Sequence, residues 1–169
     1  MRRSFFAAAI QLAADSDRDA NFARAQQLVR TAAGRGAELV VLPEMFVWRG
    51  AADAEMAAAE PIPGPTSERL AALARELGIV LVGGSLLERV AGERKAFNTC
   101  TVYGRDGALL ARYRKVHLFD VDIAGHVTHR ESDTRMHGDE TVAVPTDLGM
   151  LGLSICYDLR FPELYRRLA

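Results

Sequence analysis

The chain has 169 residues, enough for one domain, and its 49% hydrophobic and 25% charged residues are spread along the whole length, which excludes a disordered protein. Twenty-one basic residues against 22 acidic ones leave a net charge of −1 with no basic block, which removes the electrostatic case for a nucleic-acid partner or an anionic membrane surface. No run approaches the ~18 apolar residues of a membrane span, so the reading is a soluble protein with no membrane partner.

Arg2-Arg3-Ser4-Phe5-Phe6 has the look of a twin-arginine export signal, but Gln11 breaks the apolar stretch that follows and Asp15 closes it. Residues 5–12 therefore read as a buried strand. Ser16-Asp17-Arg18-Asp19 opens a helix with a capping box, and Phe22, Ala25, Val29 and Ala32 form its buried stripe. Gly34 and Gly36 stop it. The apolar run 37–42 suits a strand covered on both faces, which completes a strand–helix–strand unit of a layered α/β protein.

The pattern repeats after Pro63-Gly64-Pro65-Thr66-Ser67, with Leu70, Leu73, Ala74 and Leu77 at helical spacing and Gly78 just past the helix end. Strands are expected at 79–82, 85–90, 96–103 and 108–114, the second and third forming a hairpin around Ala91-Gly92-Glu93. From 115 to 139 periodicity disappears and polar residues dominate, so that a functional or disordered loop is expected. Strands at 141–144 and 150–155 flank a turn at 145–149, and a last helix begins at Phe161. The pattern reads as one domain over 1–169, the front portion of a longer one.

Three expected strands end in reactive side chains. Cys156, after the run Gly152-Leu153-Ser154-Ile155, is expected at a strand mouth beside backbone N–H groups, a position that favours a thiolate and can bind an oxyanion. The alternative is an ordinary buried cysteine. Glu44 follows Leu42-Pro43, where partial desolvation suits a general base, although a surface glutamate capping a turn has the same sequence. Lys115 ends the run at 108–114 as a candidate cation or as part of a solvated basic run. The loop offers His117, Asp120, Asp122, His126, His129, Glu131, Asp133, His137 and Asp139 as metal donors. It has no HExxH or CxxC spacing, and no metal is expected. GxSxG and the phosphate-binding glycine motifs are absent. Cys100 and Cys156 are too few for a disulfide framework, and a reduced, cytoplasmic protein is the expectation.

The segments GAELVVLPEMF (36–46), FNTCTVYGRDGALLARYRKVHLFDVDIAG (97–125), RESDTRMHGD (130–139) and LGLSICYDLRFPELYR (151–166) together resemble the nitrilase superfamily, the carbon–nitrogen hydrolases. The wording HLFDVDIAG and CYDLRFPEL is most similar to the branch of omega-amidases and deaminated-glutathione amidases. The resemblance implies an α/β fold, an α-β-β-α sandwich whose C-terminal part lies beyond this chain. It also implies a catalytic triad of Glu44, Lys115 and Cys156, with Glu131 as the further glutamate, and subunits that pair into a homodimer or higher homo-oligomer.

The implied chemistry is hydrolysis of a small amide without metal or organic cofactor. Cys156 would attack after Glu44 takes its proton, and Lys115 and the Tyr157 backbone N–H would hold the oxyanion. Glu131 would orient Lys115 or the substrate. The same triad could act on a nitrile, and a non-catalytic remnant serving only in protein association is the reading from another class. Phe46, Trp48 and Arg49 are candidate pocket residues, Arg49 either for a substrate carboxylate or as a lone surface arginine beside a core aromatic pair.

Overall fold

Two cappings and one bulge set the frame of the chain, which is described by a computed structural model over residues 4–125 and 127–169. Strand β1 (Phe6–Ala9) leads to helix α1 (Arg18–Gly34), whose N-cap is Asp17: its carboxylate accepts the Ala20 N–H at 3.0 Å. The helix feeds β2 (Ala37–Val41), and β1 and β2 pair in parallel. A short helix α2 (Glu55–Ala58) precedes α3 (Pro65–Leu77), which has Pro65 at its first position and ends at Gly78 with φ +62°. Strand β3 (Val80–Glu88) pairs in parallel with β2. Strand β4 (Ala96–Tyr103) forms the expected hairpin with β3, and β5 (Leu109–Arg114) continues the sheet antiparallel.

One continuous strand stands where two were expected between 79 and 90. Gly84 joins them through a bulge with φ +59°, and a Cβ there would lie 2.2 Å from the Pro43 carbonyl oxygen. That close approach presses the end of β2, and with it Glu44, against the middle of β3. The sheet runs β1-β2-β3-β4-β5, with β8 (Arg135–Met136) pairing in parallel beside the start of β4.

The sheet buries both faces. On one, Val40, Leu42 and Leu81 meet Phe22, Ala25 and Val29 of α1 and Leu70, Leu73 and Ala74 of α3. Each such large side chain contributes about 1.5–3 kcal/mol by leaving water. On the other face Leu39, Val80, Val82, Val102 and Tyr113 pack against Val144, Leu153 and Ile155. Val144 belongs to β9 (Ala143–Thr146), which pairs with β10 (Gly149–Gly152) as a separate antiparallel hairpin. Leu168 of the last helix, α4 (Pro162–Leu168), packs on Gly152 from outside. The layers thus run helix, sheet, sheet, helix, the order of the α-β-β-α sandwich.

Three expectations are corrected here. The first strand is shorter than 5–12 and mostly exposed, with Phe6 76% accessible, because β1 is an edge strand with one neighbour. The stretch 115–139 is not structureless: β6 (Asp120–Ile123) and β7 (Val127–Arg130) form an antiparallel hairpin, followed by a 3₁₀ turn at Glu131–Asp133 and by β8. The hairpin lies apart from the main sheet and stays largely exposed, so its alternation drives no continuous apolar run. The strand expected at 150–155 ends at Gly152, and Pro145, placed in a turn from sequence, lies inside β9 on a two-stranded sheet. No described helix is long and apolar enough to cross a membrane.

Candidate active site

Glu44, Lys115, Glu131 and Cys156 line one cleft of about 340 Å³. Glu44 sits three residues past β2, on a segment held by reciprocal bonds to the β3 bulge: Ser85 N–H donates to the Pro43 carbonyl (3.3 Å), and Met45 N–H donates to Ser85 Oγ (3.0 Å). Met45 has φ +52°, uncommon for a residue with a side chain, and this turns the chain sharply after Glu44. Lys115 follows β5 directly and its N–H donates to the Asn98 carbonyl at 2.9 Å. Its side chain is 2% exposed, with Nζ donating to Glu131 Oε2 at 2.8 Å and to Glu44 Oε1 at 3.2 Å.

These contacts set the charge states. Burial works against the Lys115 ammonium, but the Glu131 hydrogen bond and the charges of Glu44 and Glu131 outweigh it and raise its pKa. Burial likewise opposes the Glu131 carboxylate. The Lys115 hydrogen bond, the Phe119 N–H (2.7 Å) and the Lys115 and Arg135 charges prevail, and its pKa is lowered. The pair is a fixed cation and a fixed anion.

Cys156 opens a 3₁₀ turn at Cys156–Arg160 and does not end a strand of the main sheet, contrary to the expectation from sequence. Its φ of +48° is a strained setting for cysteine, held from outside. The holder is Asp158, fully buried, whose carboxylate accepts from Tyr113 O–H (2.6 Å), Ile155 N–H (2.9 Å), and His117 N–H (3.0 Å) and Nδ1 (2.7 Å). The His117 ring stacks on Phe161, with centroids 3.6 Å apart. One carboxylate thereby joins the turn of Cys156 to the segment just after Lys115.

The thiol departs from expectation in sign. Desolvation against the cleft and the charge of Glu44 push it above its ordinary pKa, with Lys115 working the other way. The thiolate-favouring setting expected from sequence is opposed first by desolvation and then by the charge of Glu44, with only Lys115 supporting it. Cys100, 5% exposed on the sheet face, is pushed up by burial to about 12.

Other expectations divide. Trp48 and Arg49 line the cleft; Phe46 does not, and is buried in the helix-side core beside Phe22. Tyr157 lies in the first turn of the 3₁₀ helix, where a backbone N–H has no partner within the helix, and its ring meets Phe119 and Phe161 edge-on. Among the described residues no group of three or more His, Cys, Asp or Glu could hold a metal ion. Of the loop donors, His117 serves Asp158, Asp120 accepts the Ser132 N–H, Asp122 accepts the Thr128 hydroxyl, and His126 lies outside the described residues.

Sequence reasoning did not single out three residues of the site. Asn98, buried in β4, donates its amide to Glu44 Oε1 at 2.7 Å and, more weakly, to Glu131 Oε1 at 3.5 Å. Arg135 bonds both Glu131 and Glu55, and Thr134 O–H donates to Glu55 at 2.6 Å. Asp158 is the third. The available signal was an asparagine inside an apolar strand and an acid directly after Tyr157.

Residues 6–169 match the carbon–nitrogen hydrolase family. The chain belongs to that family. Among its relatives is human omega-amidase NIT2, 46% identical over 161 residues, which cover 95% of this chain and 58% of the relative. The fold is similar to that of Saccharomyces cerevisiae Nit3, a member of branch 10 of the nitrilase superfamily, with TM-score 0.81 and 33% identity over 95% of this chain and 59% of that one. The C. elegans NitFhit protein gives TM-score 0.82 and 36% identity over 95% of this chain and 40% of its own. The carbon–nitrogen hydrolase chain described here thus spans a little over half the length of its omega-amidase relative.

Proposed function

We propose that this chain carries the catalytic residues of an amidase that hydrolyses the ω-amide of a small dicarboxylic acid through a thioester. The observation that carries the reading is the shared ammonium: Glu44 and Glu131 both accept from Lys115 Nζ at the cleft into which Cys156 opens. A thiol held above its ordinary pKa needs a base, and Glu44 is the carboxylate that acts on it. Glu44 accepts the thiol proton as sulfur attacks the amide carbon. Lys115 and the Tyr157 N–H receive the oxyanion, each donor contributing about 3 kcal/mol. When the tetrahedral intermediate collapses, the C–N bond breaks and Glu44 returns the proton to departing ammonia. Water then gives a proton to Glu44 and its hydroxide to the thioester carbon; the C–S bond breaks, the acid leaves, and Glu44 returns the proton to sulfur to restore the thiol. Glu131, buried against Lys115, orients its ammonium by a charge-assisted bond.

Similarity to omega-amidases supports the substrate class, and a reactive thiol suits a reduced compartment such as the cytoplasm. In this reading the partner is a small amide, and the assembly is a homodimer or larger homo-oligomer. The test is ammonia release by the intact protein from ω-amides and from matched nitriles, compared with Cys156→Ala and Glu44→Gln. Release from the amides that either substitution abolishes is the expected result. Equal rates in Cys156→Ala, or turnover of nitriles alone, would overturn the proposal.

A further inference from the structure

Resting on that reading, we infer that Arg49 is the specificity residue of the cleft, receiving the distal carboxylate of the substrate while Cys156 attacks the amide at its other end. Three fixed cations line the cleft: Arg49, Lys115 and Arg135. Lys115 is held by Glu44 and Glu131, and Arg135 by Glu55 and Glu131. Arg49 has no acidic partner among the described residues, although Glu44, Glu55 and Glu131 line the same cavity.

Its segment is fixed while its side chain is open. Arg49 N–H donates to the Asp15 carbonyl at 2.8 Å, and Asn21, fully buried on α1, donates its amide to the Val47 carbonyl at 3.1 Å. The Trp48 ring lies so close over Gly50 that a Cβ there would come within 2.5 Å of it. Trp48 also packs against two of the apolar cores. A held backbone spares the segment an ordering cost on binding, and the guanidinium fork matches a carboxylate with two parallel hydrogen bonds. The cleft volume of about 340 Å³ is near the lower end of small-molecule pockets, which suits a short dicarboxylic monoamide.

The experiment measures kcat/KM of the intact protein on three amides of matched length ending in carboxylate, methyl or ammonium. It also measures equilibrium binding of the corresponding dicarboxylate to Cys156→Ala with and without Arg49→Ala. Arg49→Ala should lower the carboxylate-to-methyl ratio about tenfold, chiefly through KM, and weaken dicarboxylate binding by a similar factor. Arg49→Lys should restore part of it, and Arg49→Glu should invert the order so that the ammonium substrate exceeds the carboxylate one. The preference should shrink as salt rises, because Arg49 is solvent-exposed. An unchanged ratio in Arg49→Ala, or equal losses on all three substrates in Arg49→Glu, would overturn the assignment. If no amide is turned over yet dicarboxylate binding still depends on Arg49, the hydrolase reading fails and the carboxylate site stands. If binding is indifferent to Arg49, the site fails.

Discussion

Replacing Asp158 by alanine tests whether the turn of Cys156 is held by buried polar bonds. The carboxylate accepts four hydrogen bonds, and two of their donors, the Tyr113 hydroxyl and the Ile155 N–H, belong to buried residues. The two from His117 are half-buried, where water can replace the lost oxygen. An orphaned buried donor costs about 1–3 kcal/mol, so losing both gives about 2–6 kcal/mol of destabilisation. Asp158→Asn keeps the shape and one acceptor oxygen but turns an amide toward a donor, and should cost about half as much. Urea unfolding of the intact protein reads both, with a shifted midpoint and an unchanged slope. The substitution also releases the positive φ of Cys156, so ammonia release should fall in the protein that remains folded. A loss below about 1 kcal/mol for Asp158→Ala would refute the reasoning, since two buried donors would then have found other partners.

Two further outcomes follow from the charges. Native iodoacetamide should modify Cys156 at least about tenfold faster than Cys100, because Cys100 is buried with its thiol pushed up to about 12. The Cys156 rate should climb steadily through pH 7–9, since its own pKa is raised, and Lys115→Ala should slow it by removing the cation that favours the thiolate. Mass-spectrometric labelling checks this, and equal labelling or a flat pH profile would contradict it. Glu88 supplies part of the pH dependence of stability: burial opposes its ionisation, but Arg114, Thr99 and Arg112 hold its pKa below the ordinary value. A depressed carboxylate adds stability that is complete above its unfolded pKa of about 4.3 and is lost as pH falls through the folded one. Urea midpoints should therefore fall below about pH 4.5, and Glu88→Gln should be less stable at pH 7 with a flatter acid arm. An identical acid slope in both proteins would sink that account.

The repeated strand–helix units can be read from the chain alone. Helix α1 is legible because Asp17 caps it and Phe22, Ala25 and Val29 repeat at its own period; Leu39-Val40-Val41 and Val80-Leu81-Val82 are legible because strands covered on both faces read as apolar runs. Glu44 and Lys115 are legible for a related reason, as charged residues placed where expected strands stop. Only the tertiary structure decided what lies across space. Gly84 fuses two apparent strands because the Pro43 carbonyl approaches it, and Phe46 faces the core and not the cleft beyond the positive φ of Met45. Asn98 reaches Glu44 across 54 positions and Asp158 reaches Tyr113 across 45, and such pairings leave no period in the chain. The charge state of the Cys156 thiol likewise depends on the fold. Its pKa is the balance of desolvation and Glu44, which raise it, against Lys115, which lowers it, and their sizes depend on distances that only the folded chain creates.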